Sequence, residues 1–210
     1  MAKKILIGLG ALIAICLLVG FVLPHAVTVT RSTSINAPPE RIYALVASPK
    51  QWPQWAAWNQ RDVNMALSYS GPESGTGAAW SWVSKSEGDG TMKLLEATPS
   101  TGITYELRIP SMGGPSRGRF EFTPSGDATT VTWSMSATIG MGPIGGWFAL
   151  LFPRMITPDF DSGLSSLKRL AEMPAAPEPT PPVADAPTRE GAATSGALGS
   201  APEPAPKAKR

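Results

Sequence analysis

Few side chains in this 210-residue sequence can do nucleophilic, acid–base or metal chemistry. There is one cysteine, Cys16, and one histidine, His25, and both precede Val27. That count excludes an intrachain disulfide, a zinc site of several thiolates and any Ser–His relay in the body of the chain. Carboxylates remain. Asp159 and Asp161 stand two apart in a helical pattern, so they point to different faces and form no obvious catalytic pair. Asp159 follows Pro158 and reads as the acid at the positive start of a helical piece. Glu106 falls on the outer side of a strand pattern, and Glu96, close to Pro99, is open to either side. The Gly-rich runs from Ser74 and from Gly113 open no helix after a strand and read as hairpin turns. No catalytic residue, metal or cofactor is assigned.

Aromatic surface is what the chain has in excess: Trp52, Trp55, Trp58, Trp80, Trp82, Trp133 and Trp147. Each can bury on the order of 150–250 Å², enough for a bulky core or for the walls of an apolar pocket. The pocket candidates are Trp55, Trp58, Tyr69, Trp80, Trp82, Tyr105, Phe120, Trp133, Met135 and Phe148, with the two tyrosines as polar tips. The segment GPIGGWFALLFPRM leaves little polar face. Either it is a core helix or it dips into a bilayer interface through Trp147, Phe148 and Phe152, with Arg154 at the level of lipid phosphates.

The elements that must position these residues follow from periodicity. Ile5 to Leu23 is nineteen residues without a charge, enough to cross a bilayer as a helix. A cleaved secretory signal is the competing reading, but Pro24 makes a poor cleavage context. Lys3 and Lys4 precede the run, so residues 1–4 are expected in the cytoplasm and the domain on the outer side of the cell membrane. Val27 to Ile35 reads as a strand, and Pro39 to Ser48 as a short helix. The Trp52–Trp58 stretch around Pro53 reads as a broken or tight helical turn. From Met65 to Gly140 the period is two, interrupted by turn residues every ten or so positions, giving six antiparallel strands with one apolar face. Pro143 to Glu172 supplies the cover, with Pro153 and Pro158 expected to kink it or split it into two pieces. The Pro/Ala-rich residues 174–210 contain too little apolar surface to offset ordering and read as a disordered spacer whose partner, if any, is unknown.

Charges balance within residues 27–173, and the net +2 of the chain comes from Lys3 and Lys4, so nucleic acid is not an expected partner. INAPPERIYALVASPKQWPQWAAW, ALSYSGPESGTGAAWSW, TTVTWSMS and ITPDFDSGLSSLKRLAE follow one another in an order and spacing that resembles the membrane-anchored polyketide cyclase/dehydrase-like members of the START-like (SRPBCC) superfamily. Val63 after Asp62 departs from that pattern, where proline is expected. The resemblance implies an α+β helix-grip fold over residues 27–173: a curved antiparallel sheet of about seven strands around a long C-terminal helix, preceded by the membrane helix. It also implies a cavity for a hydrophobic or amphipathic molecule, but no shared catalytic motif. Three functions stay open: a membrane-anchored binder or carrier of a lipid or polyketide-like molecule, a cyclase/dehydrase-type enzyme, and an interaction module whose aromatic residues fill the grip. A cavity without ionisable lining would count against the enzyme. One smaller than roughly 300 Å³ would favour the filled module.

Overall fold

The computed structural model describes residues 1–174. The expected spacer lies outside the described residues apart from Pro174. The order is α1 (Ala2–Val22), β1 (Ala26–Ile35), α2 (Pro39–Val46), a 3-10 turn (Pro49–Gln54) and α3 (Ala57–Arg61). There follow β2 (Ala66–Ser70), β3 (Ala79–Val83), β4 (Gly90–Thr98), β5 (Gly102–Arg108), β6 (Ser116–Ser125), β7 (Ala128–Thr138) and α4 (Gly142–Glu172). The seven strands form one antiparallel sheet in the order β1-β7-β6-β5-β4-β3-β2. This is a helix-grip fold, with the sheet curved around α4.

Alternation along the central strands places Trp80, Trp82, Met92, Leu94, Tyr105, Phe120, Trp133 and Met135 inside. A bulge in β4 between Leu94 and Glu96 resets the alternation, so Glu96 faces solvent. The aromatic residues fill most of the grip. Trp133 is stacked between Phe120 (centroids 4.8 Å apart) and Phe160 of α4 (3.9 Å). The indole N–H of Trp52 donates to the Val46 carbonyl (2.9 Å) and that of Trp55 to the Leu45 carbonyl (3.2 Å). Both carbonyls belong to the end of α2, where helical acceptors lack intrahelical partners.

α4 runs as a single 31-residue helix through Pro153 and Pro158, which corrects the expectation of two separate pieces. Each proline removes one N–H, a local loss, while Phe152 before the pair and Phe160 and Leu164 after it are buried and hold the helix together across them. Asp159 is therefore mid-helix and not a helix-start acid. Beyond it, α4 is tied to β1. Arg31 pairs with Asp161 through two hydrogen bonds (2.6 and 3.0 Å), Lys168 donates to the Ser34 carbonyl (2.6 Å), and the Asn36 N–H donates to Glu172 (2.7 Å). Val63 is exposed in the turn after α3.

Candidate functional site

A cavity of about 150 Å³ remains between the sheet and α4. Its walls are overwhelmingly apolar: Trp58 from α3, Trp82, Met92 and Leu107 from the sheet, Ile109 and Met112 after β5, and Phe152 and Ile156 from α4. Tyr105, Trp133, Met135 and Phe160 complete them. The cavity sits at one end of the sheet. Leu107 pairs with Ser116, and Gly113, just beyond β5, bridges to Ile139, one residue past Thr138. Thr138 pairs with Ala26, where the chain leaves α1. The cavity and α1 thus share an end of the fold.

Two polar groups interrupt the apolar lining. The Tyr105 hydroxyl is buried and accepts a hydrogen bond from Trp133 Nε1 (2.8 Å). Among the described residues that is its only partner, so its own proton is available to an acceptor in the cavity. Burial pushes the phenol up from its ordinary value, keeping it a neutral donor at any physiological pH. The hydroxyl end of the ring lies over Gly118 of the neighbouring strand, where a Cβ would come 1.9 Å from the ring carbon bearing the hydroxyl.

The second polar group is an ion cluster. Arg61, the last residue of α3, donates through Nε and Nη2 to Glu87 (3.1 and 2.7 Å) and through Nη1 and Nη2 to Asp159 (Nη2 at 2.9 Å). Both carboxylates are largely shielded, with side-chain exposures of 18% and 14%, while the Arg61 side chain is about half exposed (48%). The hydrogen bonds it donates to Glu87 and then to Asp159 hold Arg61 above its ordinary range, so it stays charged. One positive and two negative groups leave a local net charge of −1. All four carboxylate oxygens already accept hydrogen bonds from the guanidinium, so the cluster suits recognition better than proton abstraction.

Of the pocket candidates, Trp58, Trp82, Tyr105, Trp133 and Met135 line this cavity. Trp55, Trp80 and Phe120 are buried in the aromatic core away from it, and Phe148 is half-buried beside Phe152 (5.9 Å). Tyr69 is corrected: it is 42% exposed on β2, against a shallow groove with Pro49, Lys50 and Glu73. β2 is an edge strand, and only Leu67 on it is even partly covered. Phe152, offered as a membrane-interface residue, is buried and lines the cavity, whereas Trp147 and Arg154 are exposed. The Arg61–Glu87–Asp159 cluster had no counterpart in the sequence reading, and its members carry no motif that would have disclosed it.

Solved structures with the same fold include a protein from Thermus thermophilus (17% identity, TM-score 0.55, covering 69% of this chain and 96% of that one). A second is the Aha1 dimer from Colwellia psychrerythraea (17%, 0.52, 70% and 97%). A third is the di-domain ARO/CYC BexL from the BE-7585A biosynthetic pathway (20%, 0.55, 73% of this chain and 52% of that one). No curated protein matches the chain. The family profile described as polyketide cyclase / dehydrase and lipid transport matches residues 26–172, from the first residue of β1 to the last of α4, and the chain belongs to that family.

Proposed function

We propose that the protein is a membrane-anchored binder of a hydrophobic molecule bearing a neutral oxygen function, which it exchanges with the bilayer that α1 spans. The observation that supports this most directly is the apolar cavity at the α1 end of the fold, whose buried donor, the Tyr105 hydroxyl, has no acceptor of its own among the described residues. A ligand carbonyl or hydroxyl satisfies that donor, and an aliphatic or ring portion fills the Trp58, Trp82 and Phe152 walls. The net negative cluster at Arg61 disfavours carboxylate and phosphate head groups, so uncharged isoprenoids, acylglycerols or polyketide-like ketones fit better than fatty acids or phospholipids. At about 150 Å³ the cavity accommodates one end of such a molecule, the remainder lying toward the opening.

That size also supports a second reading. It falls below the roughly 300 Å³ usual for ligand sites, as expected of an interaction module whose core is filled by indole. Native mass spectrometry with solvent extraction, on residues 26–174 purified from a membrane-containing source without detergent, separates the two. A reproducible neutral lipid or ketone adduct, and uptake of neutral over anionic fluorescent lipids, support the binder. A clean protein that takes up neither class favours the module. The cavity does have ionisable lining, Tyr105 with Arg61, Glu87 and Asp159, so cyclase or dehydrase turnover stays open as a use of the same site. Such turnover would appear as activity lost in Tyr105→Phe with ligand uptake retained.

A further inference from the structure

The first half of α4 carries a stripe of exposed apolar residues that the ligand site does not use. Ile144, Trp147, Leu151 and Met155 recur at helical spacing with Leu150 beside them, and exposures run from 42% at Trp147 to 62% at Ile144. The opposite side of the same stretch, Gly145, Gly146, Ala149 and Phe152, is buried. This stripe adjoins α1. Trp147 Nε1 donates to the Cys16 carbonyl (2.9 Å), and the two helices meet backbone to backbone at glycines. A Cβ on Gly146 would lie 2.3 Å from the Gly20 carbonyl oxygen, and one on Gly20 would lie 2.0 Å from that of Pro143. Close crossings of this kind, built on small residues, are common where helices associate in lipid.

Depth follows from this contact. Cys16 precedes the end of α1 by nearly two turns, about 9 Å at about 1.5 Å per residue. If α1 spans the bilayer, Trp147 is held below its surface. We propose that residues 142–155 of α4 are a membrane-embedded segment, lying against α1 in the outer part of the bilayer with the Ile144–Trp147–Leu151–Met155 stripe in contact with lipid. This rests on the anchoring reading of α1 given above. The chemistry along the helix matches the depth. Arg154, toward the far end of the segment, is exposed and without an ion pair among the described residues, as suits a cation reaching lipid phosphates, and beyond it α4 enters the domain, where Asp159 pairs with Arg61 and Phe160 is buried. Phe152 and Ile156, on the buried side of the helix, line the cavity, so α4 itself stands between the cavity and the lipid.

The test uses the full chain in vesicles of phosphatidylcholine with phosphatidylglycerol. With Cys16→Ser as background, bimane is attached after Leu151→Cys, Met155→Cys or Asp127→Cys, the last in the β6–β7 hairpin at the opposite end of the sheet. Doxyl-labelled lipid is expected to quench the first two sites several-fold more than the third, and aqueous iodide to show the reverse order. Equal iodide quenching at Leu151 and Asp127 overturns the proposal. So does shielding of Leu151 from both quenchers together with chain-to-chain cross-linking, which assigns the stripe to a second copy. Alkaline carbonate is applied in parallel: release of the chain from the vesicles overturns the anchoring itself and this inference with it. Gly146→Leu, which cannot keep the Gly20 contact, is expected to move the Leu151 probe toward water while the Asp127 probe is unchanged. Undiminished lipid quenching at Leu151 in that variant removes the role given to α1.

Discussion

Tyr105 combines two tasks that a substitution separates. Tyr105→Phe leaves the ring over Gly118 but deprives the buried Trp133 N–H of its acceptor, a loss of about 1–3 kcal/mol that chemical denaturation would measure. The same change is expected to weaken uptake of a carbonyl- or hydroxyl-bearing probe roughly tenfold, and of a pure hydrocarbon probe hardly at all. Gly118→Ala places a methyl where the ring lies and is expected to destabilise the fold by about 1–3 kcal/mol, with loss of ligand uptake as the ring shifts. Two surface carboxylates make stability depend on acid. The Asn36 N–H and then Lys168 hold Glu172 below its ordinary value, and the Ser84 hydroxyl with the Asn64 N–H does the same for Asp62. A lowered folded-state value means stability that is complete above about pH 4.5 and is lost as the pH falls through the lowered values. Thermal midpoints measured from pH 6 to 3 are expected to drop below about pH 4, with a shallower drop in Glu172→Gln.

The strands were legible from the sequence because a period of two and recurring Gly and Pro turns leave few alternatives between Met65 and Gly140. The continuity of α4 was not, because Pro153 and Pro158 are strong local breakers whose effect is overridden by burial of Phe152, Phe160 and Leu164 on either side of them. Alternation gave the face on which Tyr69 lies but not whether anything covers that face, and at the edge strand little does. The ion cluster was out of reach for a different reason: Arg61 is 26 residues from Glu87 and 98 from Asp159, and only the fold brings them together. Among the elements, α2 depends on indole donors at its end. Trp52→Phe keeps most of the buried surface but strips the Val46 carbonyl of its partner, which is expected to cost about 1–2 kcal/mol. Arg31→Ala, by contrast, removes an exposed pair and is expected to leave the denaturation midpoint nearly unchanged in the same measurement.

For the molecule as a whole, selectivity and stability meet at Arg61. Arg61→Ala leaves Glu87 and Asp159 facing each other with little solvent, yet the side chain it removes is half exposed, so a loss of about 1–2 kcal/mol is expected. The variant is also expected to reject anionic fluorescent lipids more strongly than the parent, as read by uptake at low and high salt. The link between α1 and β1 sets a further limit. Only Leu23, Pro24 and His25 separate them, and His25 is itself held by the Gly142 carbonyl (2.9 Å). Three residues reach at most about 10 Å, so with α1 in a bilayer the domain has no freedom to roam. On the proposed reading, a ligand therefore reaches the cavity by its own lateral diffusion in the adjacent leaflet, and the domain's reach ends at that membrane.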